Sequence, residues 1–154
     1  MDHVRAGLRY VAAKDLDGSG KKLGGIPVQG IDGQKLGEVE GFILDILEGR
    51  PRHVVVSAGW FIHKRFLLPI GHVAFIAGDN ALVADITKER VGRFPGFDKS
   101  EFEKLSSDDL DRLDAVIAGA CAGASLTPAE IARYYQTPGW WDPAFYKVPA
   151  SDRR

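Results

Sequence analysis

Between Gly24 and Asp98 the chain is cut into short apolar runs by turn-forming residues about every ten positions, and that spacing constrains the fold more than any other feature. Runs of this length suit strands and are too short for stable helices. Ile26 and Val28 alternate with polar or small neighbours. Ile31-Asp32-Gly33-Gln34 then predicts a hairpin, because Asp-Gly tolerates positive φ. A long strand is expected from Lys35 to Leu47, with Val39, Ile43 and Leu47 facing the core. Its other face begins polar at Glu38 and Glu40 and turns apolar at Phe42, Leu44 and Ile46, so something should cover its far end. Gly37 and Gly41 are expected bend points. Glu48 to Pro51 reads as a turn and His53 to Val56 as a buried strand. Phe66 to Ile70, His72 to Ala77 and Ala81 to Ile86 complete about six strands. Thr87 is expected to cap a short helix through Phe94, stopped by Pro95. There is too little chain here for two stacked sheets. The expectation is therefore a mainly β fold, a small closed barrel with a C-terminal pair of short α-helices.

The flanks read differently. Residues 1–23 are expected to be a flexible leader, residues 24–98 the β domain, and residues 99–154 a helical and aromatic extension. In the leader, Val4, Leu8 and Val11 have helical spacing, followed by a polar, glycine-rich linker. In the extension, Ser106-Ser107 precedes a helix carrying Leu110, Leu113, Val116, Ile117 and Ala120. Thr127-Pro128-Ala129-Glu130 is a capping box that opens a second helix. Trp140, Trp141, Phe145 and Tyr146 then crowd into seven positions, which predicts burial or an interface.

Several chemistries can be set aside. With 20 basic and 21 acidic residues the net charge is −1, which argues against direct nucleic-acid binding. A single cysteine, Cys121, precludes an intrachain disulfide. No window reaches the roughly 18 apolar residues of a spanning helix, and the N-terminus lacks a secretory apolar core, so a cytoplasmic location is expected. Asp15, Asp17, Ser19 and Gly20 mimic a calcium loop, but Ile26 stands where its closing acid belongs. The Gly-Lys pair at 20–21 has Asp15 where a phosphate loop needs glycine. His3, His53, His63 and His72 share no metal-ligand spacing, so no metal and no cofactor are expected. Ser57 and Ser125 lack any nucleophile context, and no enzymatic activity is expected. Asp45, on the core-facing parity, is read as bonding strand-end amides, with a buried carboxylate as the alternative.

The succession IPVQGIDGQKLGEVEGFILDI, HVVVSAGWF, FLLPIGHVAF and ALVADITKERVGRFPGFD resembles a PRC-barrel domain, the module of the photosynthetic reaction-centre H subunit. More distantly it is similar to the C-terminal domain of the ribosome maturation factor. The resemblance rests on the turn from Asp32 to Gly37, Asp45, Leu68-Pro69 and the segment Pro95 to Asp98. It implies an interaction or assembly module rather than an enzyme. The expected binding residues are the loop Trp60, Phe61 and Ile62, its basic neighbours Lys64 and Arg65, and Trp140, Trp141 and Phe145. For the loop, partner surface and intramolecular cover remain equally open. A homodimer is expected, with an unidentified protein partner also open. The alternative function is binding of a small hydrophobic ligand such as a quinone.

Overall fold

The computed structural model describes residues 7–16, 23–59, 64–76 and 78–146. Among them, β1 (Leu8–Ala12), β2 (Pro27–Gln29), β3 (Lys35–Asp45), β4 (Arg50–Ala58), β5 (Lys64–Pro69), β6 (Val73–Ile76) and β7 (Ala81–Ala84) form one sheet. The main path runs β5-β4-β3-β2-β7-β6, and β1 pairs with β3 off that path. Three helices follow: α1 (Lys99–Phe102), α2 (Ser107–Ala122) and α3 (Pro128–Tyr134).

The centre is the antiparallel pair β3–β4. Val54, Val55 and Val56 of β4 are fully buried, as are Phe42, Ile43 and Leu44 of β3, with Phe42 opposite Val54. A β-branched run in that position loses apolar area on both faces, which is why it makes a central strand. The hairpin from β2 to β3 forms as expected. Gly33 takes φ +82°, and Asp32 Oδ1 accepts from the Gln34 amide at 3.1 Å. Gly37 and Gly41 are required by close approach. A Cβ on Gly37 would lie 2.5 Å from the Ser57 carbonyl oxygen, and its φ is +156°. A Cβ on Gly41 would lie 2.6 Å from the Tyr10 ring, and the β3–β4 register shifts between Val39 and Gly41.

The sheet curls but does not close, which corrects the expected closed barrel. Its end strands β5 and β6 do not pair with each other. The outer edge of β5 is already engaged: Phe66 bridges Gly96, and the Phe97 amide donates to the Arg65 carbonyl at 2.8 Å. At the other end, Trp140 Nε1 donates to the Val73 carbonyl at 2.8 Å. The segment after the last strand therefore takes hydrogen bonds that closure would have used.

Local corrections follow from the same competition between periodicity and pairing. Leu8–Ala12, with helical spacing in the sequence, is a strand because β3 offers it a complete antiparallel register from Gly41 to Asp45. Pro51 lies inside β4 rather than ending a turn, opposite Leu44, where the register shifts. Proline is tolerated at such an irregularity because a ladder hydrogen bond is already missing. Leu47 is exposed, since β3 ends at Asp45. Lys88–Arg93 is a 3-10 turn, and Thr87 makes no side-chain cap.

The helices start where the capping residues stand. Ser106 Oγ accepts from the Asp109 amide and Asp109 Oδ2 accepts from the Ser106 amide, a reciprocal box. Thr127 and Glu130 repeat the arrangement at α3. Gly123, with φ +73°, ends α2. The buried face of α2 is Leu110, Asp114, Ile117, Ala118 and Cys121, so Val116 faces outward, against expectation. The expected cover on the far end of β3 is the tail: Trp141 meets Phe42 edge-on at 5.4 Å and Phe145 at 5.0 Å.

Two substitutions test this packing in urea unfolding. Gly37→Ala should cost about 2 kcal/mol or more, because backbone rather than a flexible side chain blocks the new methyl. Trp141→Ala should cost about 3–5 kcal/mol, as for other large buried aromatics. A loss under about 1 kcal/mol for Trp141→Ala would mean that the tail is not part of the cooperative fold.

Candidate functional site

Beside β1 lies a half-open groove of about 820 Å³. Gly41 makes room for it, because only a residue without a side chain lets the Tyr10 ring lie against β3 at that point. Ala12, Ala13, Leu16, Leu23 and Val39 supply apolar wall. Tyr10, Glu40, Arg65, Phe97 and Lys99 gather at a polar end. There Arg65 Nε donates to Glu40 Oε2 at 2.8 Å, and the Lys99 ammonium sits 5.9 Å from the centre of the Tyr10 ring. The Tyr10 and Phe97 rings lie 6.0 Å apart. Burial and the Glu40 carboxylate raise the Tyr10 pKa, with Arg65 opposing, so the phenol stays protonated, and it donates to the Glu40 carbonyl at 3.4 Å.

A second cluster is buried. His53 is fully buried on β4, with Nε2 3.2 Å from Asp114 Oδ1 on α2. Arg52 reaches the other oxygen of Asp114 at 2.5 Å. Tyr135 closes the group: its hydroxyl donates to the Asp114 carbonyl at 3.1 Å, its ring packs edge-on to His53, and the Arg52 guanidinium lies 4.2 Å over it. Burial pushes the Asp114 carboxyl up, but the hydrogen bond and charge of His53 and the charge of Arg52 outweigh it, leaving the carboxyl below its ordinary value. The cluster ties α2 and the residue after α3 to the sheet. None of its four residues lines the groove beside β1.

A third group lines a recess of about 450 Å³ that includes His72, Arg90, Cys121 and Tyr134. His72 stacks on Tyr134 with ring centres 5.2 Å apart, and its Nε2 lies 3.2 Å from the Asp85 carbonyl oxygen. Burial lowers the His72 pKa against the pull of Asp85. Burial pushes the Cys121 thiol up to about 12, the opposite of an activated nucleophile. Among the described residues no three histidine, cysteine or acidic side chains are arranged to hold a metal ion.

The residues singled out in the sequence separate. Trp60, Phe61 and Ile62 lie outside the described residues. Lys64 turns inward and donates to the Phe94 and Val91 carbonyls at 2.6 and 3.1 Å, and burial lowers its pKa. Arg65 lies in the groove. Trp141 and Phe145 are buried in the core of their own chain, and Trp140 is half-buried. Asp45 is half-buried, and its Oδ1 accepts from the Leu47 and Glu48 amides at 3.0 and 3.3 Å, a strand-end role. Tyr10, Glu40, Phe97 and Lys99 were not legible as a site, because they come from β1, β3 and the segment before α2. Asp114 did leave a trace: with Leu110, Ile117 and Cys121 it completes a helical face in which one position is acidic.

A mainly β domain with a curled half-barrel sheet and a lateral groove is the class these features define. Residues 18–91 match the PRC-barrel domain family model, so the chain carries a PRC-barrel domain. No curated protein matches the chain. Among the described residues no helix is long and apolar enough to cross a membrane.

The buried cluster predicts a pH effect. Asp114 ionises more readily folded than unfolded, so its stabilisation is present above the ordinary value of 3.8 and is lost as pH falls through the lower folded value. At neutral pH, Asp114→Asn should be about 3 kcal/mol less stable, since Arg52 loses its buried partner. Its acid limb in urea unfolding should be flatter than that of the wild type. Parallel acid limbs would show that Asp114 is not the titrating group.

Proposed function

We propose that this PRC-barrel protein is a non-enzymatic binding module that works through the groove beside β1, and that the occupant is a small hydrophobic molecule. The observation that carries the reading is the groove itself. About 820 Å³ of largely apolar space with a few convergent polar groups lies in the size range of small-molecule sites. The space is beside the sheet rather than inside it, where close-packed side chains leave no room. The raised Cys121 thiol supports a non-catalytic role, as does the structural engagement of His53 and Asp114.

Self-association or docking of a protein partner is the second reading, and one observation favours it. β1 pairs with β3 on one side, and a strand paired on one side offers its other edge for strand addition. In this reading the working surface is β1 and the groove rim, because Trp141 and Phe145 are committed to the core.

Native mass spectrometry of untagged protein across a dilution series separates the two. A monomer carrying a constant added mass that is lost in Ala12→Trp, which would fill the groove, is the expected result. A dimer that persists on dilution without added mass would overturn the ligand reading in favour of self-association.

A further inference from the structure

The charges around the groove are unbalanced. Lys14, Arg65 and Lys99 line it, against the single acid Glu40. Glu40 is already spent on Arg65. Neither Lys14 nor Lys99 has an acidic partner among the described residues, although the chain as a whole carries net charge −1. Two unmatched cations therefore stand where the apolar space opens.

The two kinds of lining are also segregated. Arg65 and Lys99 are brought together through Phe97: its amide bonds the Arg65 carbonyl, its ring meets Tyr10, and Lys99 stands over that same Tyr10 ring. The Tyr10 hydroxyl, held protonated, donates to the Glu40 carbonyl at 3.4 Å and so stays neutral at this end. The rest of the lining is mainly aliphatic: Ala12, Ala13, Leu16, Leu23 and Val39, with Lys14 as its one charged member. A neutral hydrophobic ligand would fill the aliphatic part and leave the ammonium of Lys99 facing its polar end without a counter-charge. A ligand with an acidic head would meet both.

We infer that the groove takes an amphiphile with a carboxylate head and an aliphatic tail, the head lying between Lys99 and Arg65 beside the Tyr10 ring. Glu40 then acts as a selectivity element. It holds the Arg65 guanidinium in place and, by its own charge, disfavours more than one negative charge on the head.

This inference rests on the small-molecule reading of the groove, and the test is chosen to separate the two. Binding to the full chain is measured by isothermal titration calorimetry below micelle-forming concentrations, with dodecanoate, 1-dodecanol and dodecyltrimethylammonium. Dodecanoate is expected to bind at least about tenfold more tightly than dodecanol, and the cationic amphiphile more weakly still. Lys99→Gln, an exposed substitution, should remove most of the preference for dodecanoate while lowering dodecanol affinity far less. Equal affinities for dodecanoate and dodecanol, or an unchanged preference in Lys99→Gln, would overturn the carboxylate assignment while leaving the groove as a hydrophobic site. Absence of binding by all three would overturn both.

Discussion

A sheet that does not close must still satisfy the backbone of its end strands, and in this protein the chain after the last strand does so. Gly96 and Phe97 run along β5, and the Trp140 indole reaches the first carbonyl of β6. An unpaired buried amide or carbonyl costs about as much as a lost hydrogen bond, so the position of this segment is strongly specified. Much else depends on it. It sets where α1 and α2 begin, and it carries Phe97 and Lys99 to the groove.

Apolar cover and a buried ion pair complete the attachment. Trp141 lies against Phe42, where the central strand is apolar on both faces, and Phe145 packs on Trp141. His53 and Arg52 bind Asp114, which draws α2 onto the sheet at a second point. The two contributions differ in kind. Burial of aromatic area is non-directional and supplies most of the free energy. The Asp114 group contributes little net stability against an apolar equivalent, but removing one partner is costly, so it fixes which face of α2 turns inward.

The groove is a by-product of the same geometry. β1 and β2 both pair along one side of β3, one after the other, and Gly41 lets Tyr10 fold against that strand. The turn after β1 and the segment around Leu23 and Gly24 form one wall, while Arg65 and Phe97 come from the opposite end of the sheet path. A concave apolar surface with a cationic end therefore arises from elements remote in sequence.

What the sequence determined by itself was local. The hairpin at Asp32-Gly33 follows from the conformational freedom of those residues, the two capped helices from Ser106 and Thr127, and the central strands from β-branched runs. The family was legible from the order of its turns. Strand closure, the strand character of Leu8–Ala12, and the inward turn of Lys64 were decided by the tertiary structure. Each depends on which distant backbone or carbonyl a residue meets, and periodicity within one segment carries no record of that. Arg65 shows the division within a single residue. Its charge and place beside an apolar loop were readable, but its role at the end of a groove exists only because Glu40, Tyr10 and Phe97 converge on it.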